Sequence, residues 1–192
     1  MPPKQKYTQQ SILDAAFEIM RASGIDAVGS RQVADKLNCS TQPIFSYFKD
    51  MEDLKHALIR KAKDLYSSYV HKGLTSERPF KGVGLEYINL AKKEPEIFKL
   101  LFMSANKNKL DSLLDFDDNK KIILQSLIDF SGLDTENAEK LCTMIWLFTH
   151  GIAVMYATDT ISFTEDEINN LLDDAYIGSF MKIKYDNQNQ NN

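Results

Sequence analysis

Residues 30–48 read SRQVADKLNCSTQPIFSYF, and this stretch decides the fold of the chain. Ser30 can cap a short helix whose apolar residues, beginning with Val33, recur at helical spacing on one face. Asn38 follows that helix, and asparagine tolerates the left-handed backbone conformation with which many helices end. Ser40 can then cap a second short helix. The stretch therefore predicts two short helices joined by a tight turn.

Pro43 falls in the first turn of the second helix. If Ser40 is the cap, Pro43 is the third helical residue, where the backbone N–H has no partner within the helix to lose. The proline thus indicates the beginning of a helix rather than a break in one. Ile44 and Phe48 are four residues apart and are predicted to face the core. The outward face then carries Thr41, Gln42, Phe45 and Ser46.

The segments on either side of this stretch also predict helices. Thr8–Ala22 places its apolar residues on one face, and Gly24 stands where a left-handed helix end is expected. Asp50 can cap a longer helix, Met51–Lys72, which Gly73 would end. The N-terminal part of the chain therefore predicts a three-helix unit that contains a helix-turn-helix.

The second half of the chain predicts further helices. Pro95 fits the first position of one helix, residues 135–159 predict a long apolar helix, and Thr164–Glu167 matches a capping box before the last one. Glycine and proline, at 8 and 5 residues, are sparse, which is typical of an all-helical chain. We therefore predict an all-α fold with a helix-turn-helix domain at 1–50, a connecting helix at 51–72, a helical domain at 73–186 and a disordered tail at 187–192.

Composition and charge narrow the function classes. The chain has 192 residues and a net charge of −4, yet residues 1–70 hold ten Lys and Arg against eight Asp and Glu. This mildly basic head permits local contact with DNA. Cys39 and Cys142 are interpreted as reduced thiols, and no Cys/His spacing indicates a metal site. Since no signal-peptide pattern occurs and no apolar run approaches about 18 residues, the sequence predicts a cytoplasmic protein that does not span a membrane.

The segment 12–54 resembles the N-terminal domain of the TetR (tetracycline repressor) family of transcriptional regulators. The resemblance rests on the ILDAA start, Gly24, the SRQVA string, the turn at Cys39 and the IFSYF string. Asn38 and Met51 depart from the pattern, because the family generally has glycine and lysine at these positions. The second departure removes one expected phosphate contact. EPEIFKLLFM and the W-x-x-x-H-G string, farther along the chain, are similar to some members of the family.

The second short helix, Thr41–Tyr47, is the candidate recognition helix, and its N-terminal residues would reach base edges in the major groove. Gln42 can bond adenine N6 and N7 together, and Pro43 and Phe45 can contact thymine methyl groups. Three hydroxyl groups on this helix, of Thr41, Ser46 and Tyr47, could bind phosphates. A buried Phe45, and a Tyr47 that only packs with its hydroxyl in solvent, remain alternatives. The resemblance implies phosphate contacts for Ser30, Arg31, Tyr47 and Lys49, and the full predicted set is Ser30, Arg31, Ser40, Thr41, Gln42, Pro43, Phe45, Ser46, Tyr47 and Lys49.

A single recognition helix reads few base pairs, so specific binding predicts a homodimer on palindromic double-stranded DNA, with half-sites about 34–36 Å apart. The last two helices are the expected interface, because each is apolar over more than one face. The resemblance likewise implies a C-terminal domain that dimerises through its last two helices and binds an inducer.

The middle helices could enclose a pocket for a small-molecule effector, and no cofactor is expected. Plain core packing is the alternative for every candidate, and His150 could be a buried structural histidine rather than a ligand. The candidate ligand-binding residues are Tyr87, Phe98, Phe102, Met103, Trp146, His150 and Tyr156.

The preferred interpretation is a ligand-responsive dimeric transcriptional regulator, most simply a repressor. A small helical enzyme is an alternative, but the sequence has no Gly-rich phosphate loop, HExxH motif or Ser/His/Asp arrangement, so we predict no enzymatic activity. A helical protein-interaction module that does not bind DNA is the other alternative. Sequence-dependent DNA binding would separate these interpretations.

Overall fold

The computed structural model describes residues 7–103 and 118–190, and every regular element in this part of the chain is a helix. The predicted all-α fold is therefore confirmed. A single 3-10 turn, Ile25–Ala27, follows the first helix. The helices are α1 (Gln9–Ser23), α2 (Ser30–Leu37), α3 (Gln42–Phe45), α4 (Met51–Leu74), α5 (Pro79–Lys93), α6 (Pro95–Phe102), α7 (Asp118–Ser131), α8 (Thr135–Ala157) and α9 (Glu165–Gln190).

The chain divides into two compact units that do not follow the chain order. The first unit contains residues 7–65 together with 94–103, and the second contains residues 66–93 together with 118–190. Helix α4 thus begins in one unit and ends in the other. Helix α6, which the sequence assigned to a C-terminal domain at 73–186, packs on α1 in the first unit.

An amphipathic α1 organises the first unit. A capping box begins the helix, because the Thr8 hydroxyl accepts from the Ser11 N–H while the Ser11 hydroxyl accepts from the Thr8 N–H. At its other end, the Arg21 side chain donates two hydrogen bonds to the carboxylate of Glu94. Only 9% of the Glu94 side chain is exposed, so this ion pair fastens the start of α6 to α1.

Gly73 is the last residue but one of α4 and keeps a helical backbone, so it is not the left-handed end residue that the sequence predicted. A Cβ atom on Gly73 would lie 2.6 Å from the Cα atom of Val83, and one on Gly82 would lie 2.3 Å from the Gly73 carbonyl oxygen. These glycines therefore permit the close crossing of α4 and α5. The sequence pattern of a helix-ending glycine does not distinguish it from a glycine required by a close crossing.

Helix α8 is the central helix of the second unit and packs against α5, α7 and α9. Its length and its mean hydropathy of 1.2 over 18 residues would also suit a membrane span. This is weak evidence for a span, because core helices of soluble proteins share these properties. One apolar cluster of this unit comprises Leu127, Leu133, Ala138, Leu141, Ile145 and Ile183.

Helix α9 begins at the predicted capping box, since the Glu167 N–H donates to the Thr164 hydroxyl and the Thr164 N–H donates to the Glu167 carboxylate. The helix then continues to Gln190, where the sequence predicted a disordered tail from 187. Hydrogen bonds of Lys182 to Asp186, one turn later, support its last turns. The final two residues, 191–192, lie outside the described part of the chain.

Candidate functional site

The turn between α2 and α3 is built around Asn38, which adopts φ 52° and ψ 51°. The N–H of Cys39 donates to the carbonyl of Ala34, and the N–H of Asn38 donates to the carbonyl of Asp35. This pair of bonds is a Schellman motif, in which a left-handed residue reverses the chain after a helix. The predicted left-handed Asn38 is therefore confirmed, and asparagine fulfils the role that glycine usually has there.

The helix starts differ from the predicted starts by one residue. Gly29, rather than Ser30, is the cap of α2, and Thr41, rather than Ser40, is the cap of α3. Pro43 is therefore the second helical residue of α3, which still belongs to the first turn and costs no hydrogen bond. Gly29 has no side chain, and the Thr41 hydroxyl makes no capping hydrogen bond.

Two faces of the α3 segment are clearly distinguished by burial. Ile44 is 0% exposed and Phe48 is 2% exposed, and these two residues attach the segment to the core. Gln42 is exposed on the opposite face, where Phe45 is 47% exposed. Because nearly half of the Phe45 side chain is exposed, the alternative of a buried Phe45 is wrong. Among the described residues, Gln42 and Phe45 are thus available to a partner.

Two of the hydroxyl groups that the sequence assigned to phosphates donate elsewhere. The Ser46 hydroxyl donates to the Gln42 carbonyl at 3.0 Å, within the same turn. The Tyr47 hydroxyl donates to the backbone carbonyl of Tyr7 at 3.0 Å. Tyr7 in turn donates its own hydroxyl to the carbonyl of Asn38 at 3.4 Å. The two tyrosine bonds brace the turn against the residue that precedes the cap of α1, whereas Ser46 bonds only within its own turn.

Two cationic side chains close to α3 in sequence are exposed. Arg31 and Lys49 are exposed, and neither has an ion-pair partner within residues 7–103 and 118–190. By contrast, Lys36 pairs with Glu18 at 2.8 Å, which also holds the pKa of that carboxyl below its usual value. Two exposed cations without carboxylate partners among the described residues suit contacts with an anionic surface.

The second unit contains a mostly apolar cavity of ≈ 90 Å³ next to Trp146. Residues of α4, α5, α7 and α8 line it, so the cavity lies between these four helices. A second cavity of ≈ 30 Å³ shares part of the same wall. The larger cavity is lined by Tyr66, Phe80, Val83, Gly84, Tyr87, Lys120, Ile123, Cys142, Ile145, Trp146 and Thr149.

A chain of polar contacts lies behind this cavity. The hydroxyl of Tyr87 lies 2.9 Å from Nδ1 of His150, and the indole of Trp146 stacks on the imidazole with ring centroids 4.9 Å apart. Burial raises the pKa of the Tyr87 phenol and lowers the pKa of His150. At neutral pH the tyrosine is therefore the proton donor and the neutral imidazole is the acceptor.

Only part of the predicted ligand-binding set meets at this cavity. Tyr87 and Trp146 line it, and His150 contacts both of them. Tyr156 instead binds the loop after α8, because its hydroxyl donates to the Phe163 carbonyl and accepts from the Phe163 N–H. The prediction is wrong for the remaining three candidates, because they lie in α6 or directly after it and therefore belong to the other unit. They are Phe98, Phe102 and Met103.

The sequence missed several lining residues because they have no distinguishing pattern. Phe80, Val83, Ile123 and Ile145 are apolar residues at helical spacing, which predicts core and cavity wall equally well. Cys142 was interpreted as a plain thiol. Burial raises its pKa to about 11, so it lines the cavity as a neutral group. Only the structure shows which of these side chains border empty space.

The outer sides of α8 and α9 carry large apolar residues that are 37% to 67% exposed. Each helix also has a glycine on this side, Gly151 and Gly178, where an added Cβ would meet nothing within 4 Å. Packing against the described residues therefore does not require either glycine. We define the apolar surface of α8 and α9 by the following residues: Met144, Leu147, Phe148, Gly151, Ile177, Gly178, Met181 and Tyr185.

The N-terminal part of the chain is similar to one known protein family. Residues 12–58 match the family described as bacterial regulatory proteins, tetR family. This range contains α2, the turn, α3 and the first part of α4. No curated protein is significantly similar to the chain in sequence.

Solved structures share the fold over nearly the whole chain. A putative TetR-family transcriptional regulator from Vibrio parahaemolyticus is 18% identical, with 90% of this chain and 96% of that chain covered and a TM-score of 0.58. A TetR-like transcriptional regulator from Rhodococcus sp. RHA1 is 13% identical, with 96% and 98% covered and a TM-score of 0.61. A putative TetR-family regulator from Mesorhizobium loti MAFF303099 is 17% identical, with 91% and 98% covered and a TM-score of 0.55. At these identities the likeness concerns the fold.

Proposed function

We propose that the chain represses transcription as a ligand-responsive homodimer on a palindromic operator. The proposal is supported by the match of residues 12–58 to the tetR family of bacterial regulatory proteins. The family is described as bacterial regulatory proteins, which supports regulation through DNA rather than catalysis. The observation that supports operator reading best is the α3 segment, whose buried Ile44 and Phe48 hold Gln42 and Phe45 outward.

On operator DNA, α3 enters the major groove. Gln42 bonds an adenine through N6 and N7, and Pro43 and Phe45 contact thymine methyl groups. Arg31 and Lys49 bind phosphates on the two sides of the groove, which fixes the position of α3 without reading sequence. The hydroxyl groups of Ser30, Ser40 and Thr41 add neutral phosphate contacts.

Two copies of the chain associate through the apolar surface of α8 and α9. Its exposed large apolar side chains are the feature by which protein–protein contact surfaces are recognised. A glycine inside a helix costs about 1 kcal/mol relative to alanine, and close approach of a second chain gives Gly151 and Gly178 a reason to be retained. A dimer of this kind presents two α3 helices to successive turns of the groove.

A small molecule in the cavity beside Trp146 regulates DNA binding. Helix α5 contributes Phe80, Val83, Gly84 and Tyr87 to the cavity wall and ends at Lys93. The next residue, Glu94, is the one that Arg21 of α1 holds. A ligand that displaces α5 therefore moves Glu94 and, through the ion pair of Glu94 with Arg21, acts on the C-terminal end of α1. It shifts the equilibrium only by its difference in affinity between the two conformations.

DNA as the partner implies a cytoplasmic location for the protein. Selection of bound fragments from random double-stranded DNA, followed by sequencing, tests the proposed function over all operator sequences at once. We expect enrichment of a palindrome whose half-sites are one helical turn apart, with affinity that falls as salt rises. Recovery of unenriched DNA, or of none, would reject the regulator function, and enrichment of a single half-site would reject the dimer.

A further inference from the structure

Gly84 of α5 is a helical glycine that packing does not explain. An added Cβ would lie 3.8 Å from Leu172 and from Thr149, which is ordinary van der Waals contact. Gly82, two residues earlier, differs sharply, since its Cβ would lie 2.1 Å from the Ser76 hydroxyl. Alanine would favour the helix more than glycine does. The chain therefore keeps open a space at Gly84 that a larger side chain could fill.

That space belongs to both cavities of the second unit. Phe80, Gly84, Ile145 and Thr149 line the ≈ 90 Å³ cavity and the ≈ 30 Å³ cavity alike, so the two are neighbours on either side of this wall. The larger cavity alone is smaller than the roughly 150 Å³ that admits benzene in a protein core. Because the two volumes together also stay below this value, a ligand of ring size would lie along Gly84 across both cavities and displace part of their wall.

The two ends of this joined space differ in chemistry. The larger cavity is bordered mainly by aromatic and aliphatic groups, including Tyr66, Tyr87 and Trp146. The smaller cavity has Arg78 and Lys81 in its wall, and both bind the same carboxylate, Asp173, at 2.9 Å and 2.8 Å. The space thus has an apolar end and a charged end.

The charged end carries an excess of cationic donors. The Lys81 hydrogen bond, supported by Arg78, lowers the pKa of Asp173, so this carboxyl is ionised at neutral pH. Among the described residues, one carboxylate thus balances two cations. A guanidinium has five N–H donors and an ammonium three, so one bond to Asp173 leaves donors on each cation. A second carboxylate at this place would restore charge balance.

We propose that the effector is an apolar monocarboxylic acid, aromatic or short aliphatic. Its hydrocarbon part lies along Gly84 toward Trp146, and its carboxylate binds Arg78 and Lys81. This assignment rests on the proposed regulation by a small molecule and specifies the chemistry of that molecule. The space at Gly84 would hold the hydrocarbon part of the ligand. Arg78 and Lys81, which share the single carboxylate of Asp173, would bind its acid group.

Matched probes test the charge requirement on the full-length protein. Benzoate, phenylacetate and hexanoate are compared with benzyl alcohol, 2-phenylethanol and hexanol by calorimetry and thermal shift. We expect each acid to bind at least about tenfold more tightly than its alcohol, because hydrogen bonds between charged groups are the stronger ones. Equal affinities within each pair, tighter binding of the alcohols, or no binding by any probe would overturn the proposal.

Variants test the placement in opposite directions. Lys81→Met is expected to weaken acid binding by about tenfold and leave alcohol binding nearly unchanged, whereas Asp173→Asn, which removes the competing carboxylate, is expected to strengthen acid binding. Lys93→Met removes an exposed cation from the same helix and serves as the matched control. Gly84→Leu is expected to abolish binding of acids and alcohols alike, and the smaller Gly84→Ala to weaken it. An acid affinity that is unchanged in Lys81→Met and Gly84→Leu would overturn the assignment.

DNA binding without any probe separates this proposal from the proposed function. If the protein selects a palindrome but only uncharged probes bind it or release it from DNA, the acid assignment is wrong and the regulator function stands. If the protein selects no DNA, the regulator function is wrong whatever the probes do.

Discussion

The hydroxyl of Tyr47 donates a 3.0 Å hydrogen bond to the backbone carbonyl of Tyr7, so the end of the α3 segment is tied to the residue before the cap of α1. Tyr7 is in turn linked to the Asn38 carbonyl, in the turn that orients α3. The segment that would read DNA is thus braced from the N-terminal side as well as from the core. Bracing of this kind fixes the orientation of α3 before DNA arrives, which reduces the ordering cost of binding.

Tyr47→Phe is predicted to lower the free energy of unfolding by about 0.5–1.5 kcal/mol, the usual contribution of one neutral hydrogen bond. Urea denaturation measures this loss. Tyr7→Phe, which removes the 3.4 Å bond to Asn38, is the control and is expected to cost less because the bond is longer. An unchanged stability of Tyr47→Phe together with a large loss of operator affinity would instead assign the Tyr47 hydroxyl to a phosphate.

Lys49→Ala is predicted to weaken binding on every DNA sequence and to reduce the slope of log affinity against log salt by about one. The reason is that a lysine on a phosphate releases a counterion when it binds. Lys36→Ala, whose ammonium pairs with Glu18, is the matched control and should leave the slope unaltered. Fluorescence anisotropy at several salt concentrations gives the slope. Identical slopes for wild type and Lys49→Ala would remove Lys49 from the DNA contact.

Met181→Glu is predicted to dissociate the dimer, because association through the apolar surface of α8 and α9 would bury a carboxylate without a partner. Sedimentation equilibrium should show a rise in the dimer dissociation constant of at least about 100-fold, since such burial costs several kcal/mol. Ile161→Glu is the control, because Ile161 is 46% exposed but lies in the loop between the two helices. Dissociation by Ile161→Glu alone would place the interface elsewhere.

His150 is predicted to make the protein less stable as the pH falls. Burial holds its folded-state pKa below the unfolded value of about 6.5, so the unfolded chain takes up the proton more readily. Stability from this residue is complete well above pH 6.5 and declines as the pH falls through that value. Melting temperatures at pH 7.5, 6.5 and 5.5 should fall less in His150→Asn than in wild type. A steeper fall in the variant would mean that the protonated imidazole is stabilised.

The helix-turn-helix was predictable because its signals are local. Pro43 in a first turn, Asn38 at a helix end and the Ile44–Phe48 spacing each depend on a few neighbouring residues. The cap positions differed by one residue, which is the usual uncertainty of a helix end. Outward exposure of Phe45 followed from the same periodicity.

Features that depend on distant pairing were not predictable. Arg21 and Glu94 are 73 residues apart, and nothing near either residue indicates that α6 packs on α1. The cavity likewise joins residues of four helices, and its wall has the same composition as a filled core. Hence Phe98 and Phe102 looked as suitable as Trp146, although they pack in the other unit.

The proposed function depends above all on Gln42, through which α3 would read a base pair. The most direct measurement compares wild type and Gln42→Ala on the selected operator and on its single base-pair variants, by anisotropy at one salt concentration. We expect Gln42→Ala to lose about 1–3 kcal/mol of binding free energy on the operator and to lose discrimination at one symmetry-related base pair. An equal loss on all sequences, including unrelated DNA, would contradict it.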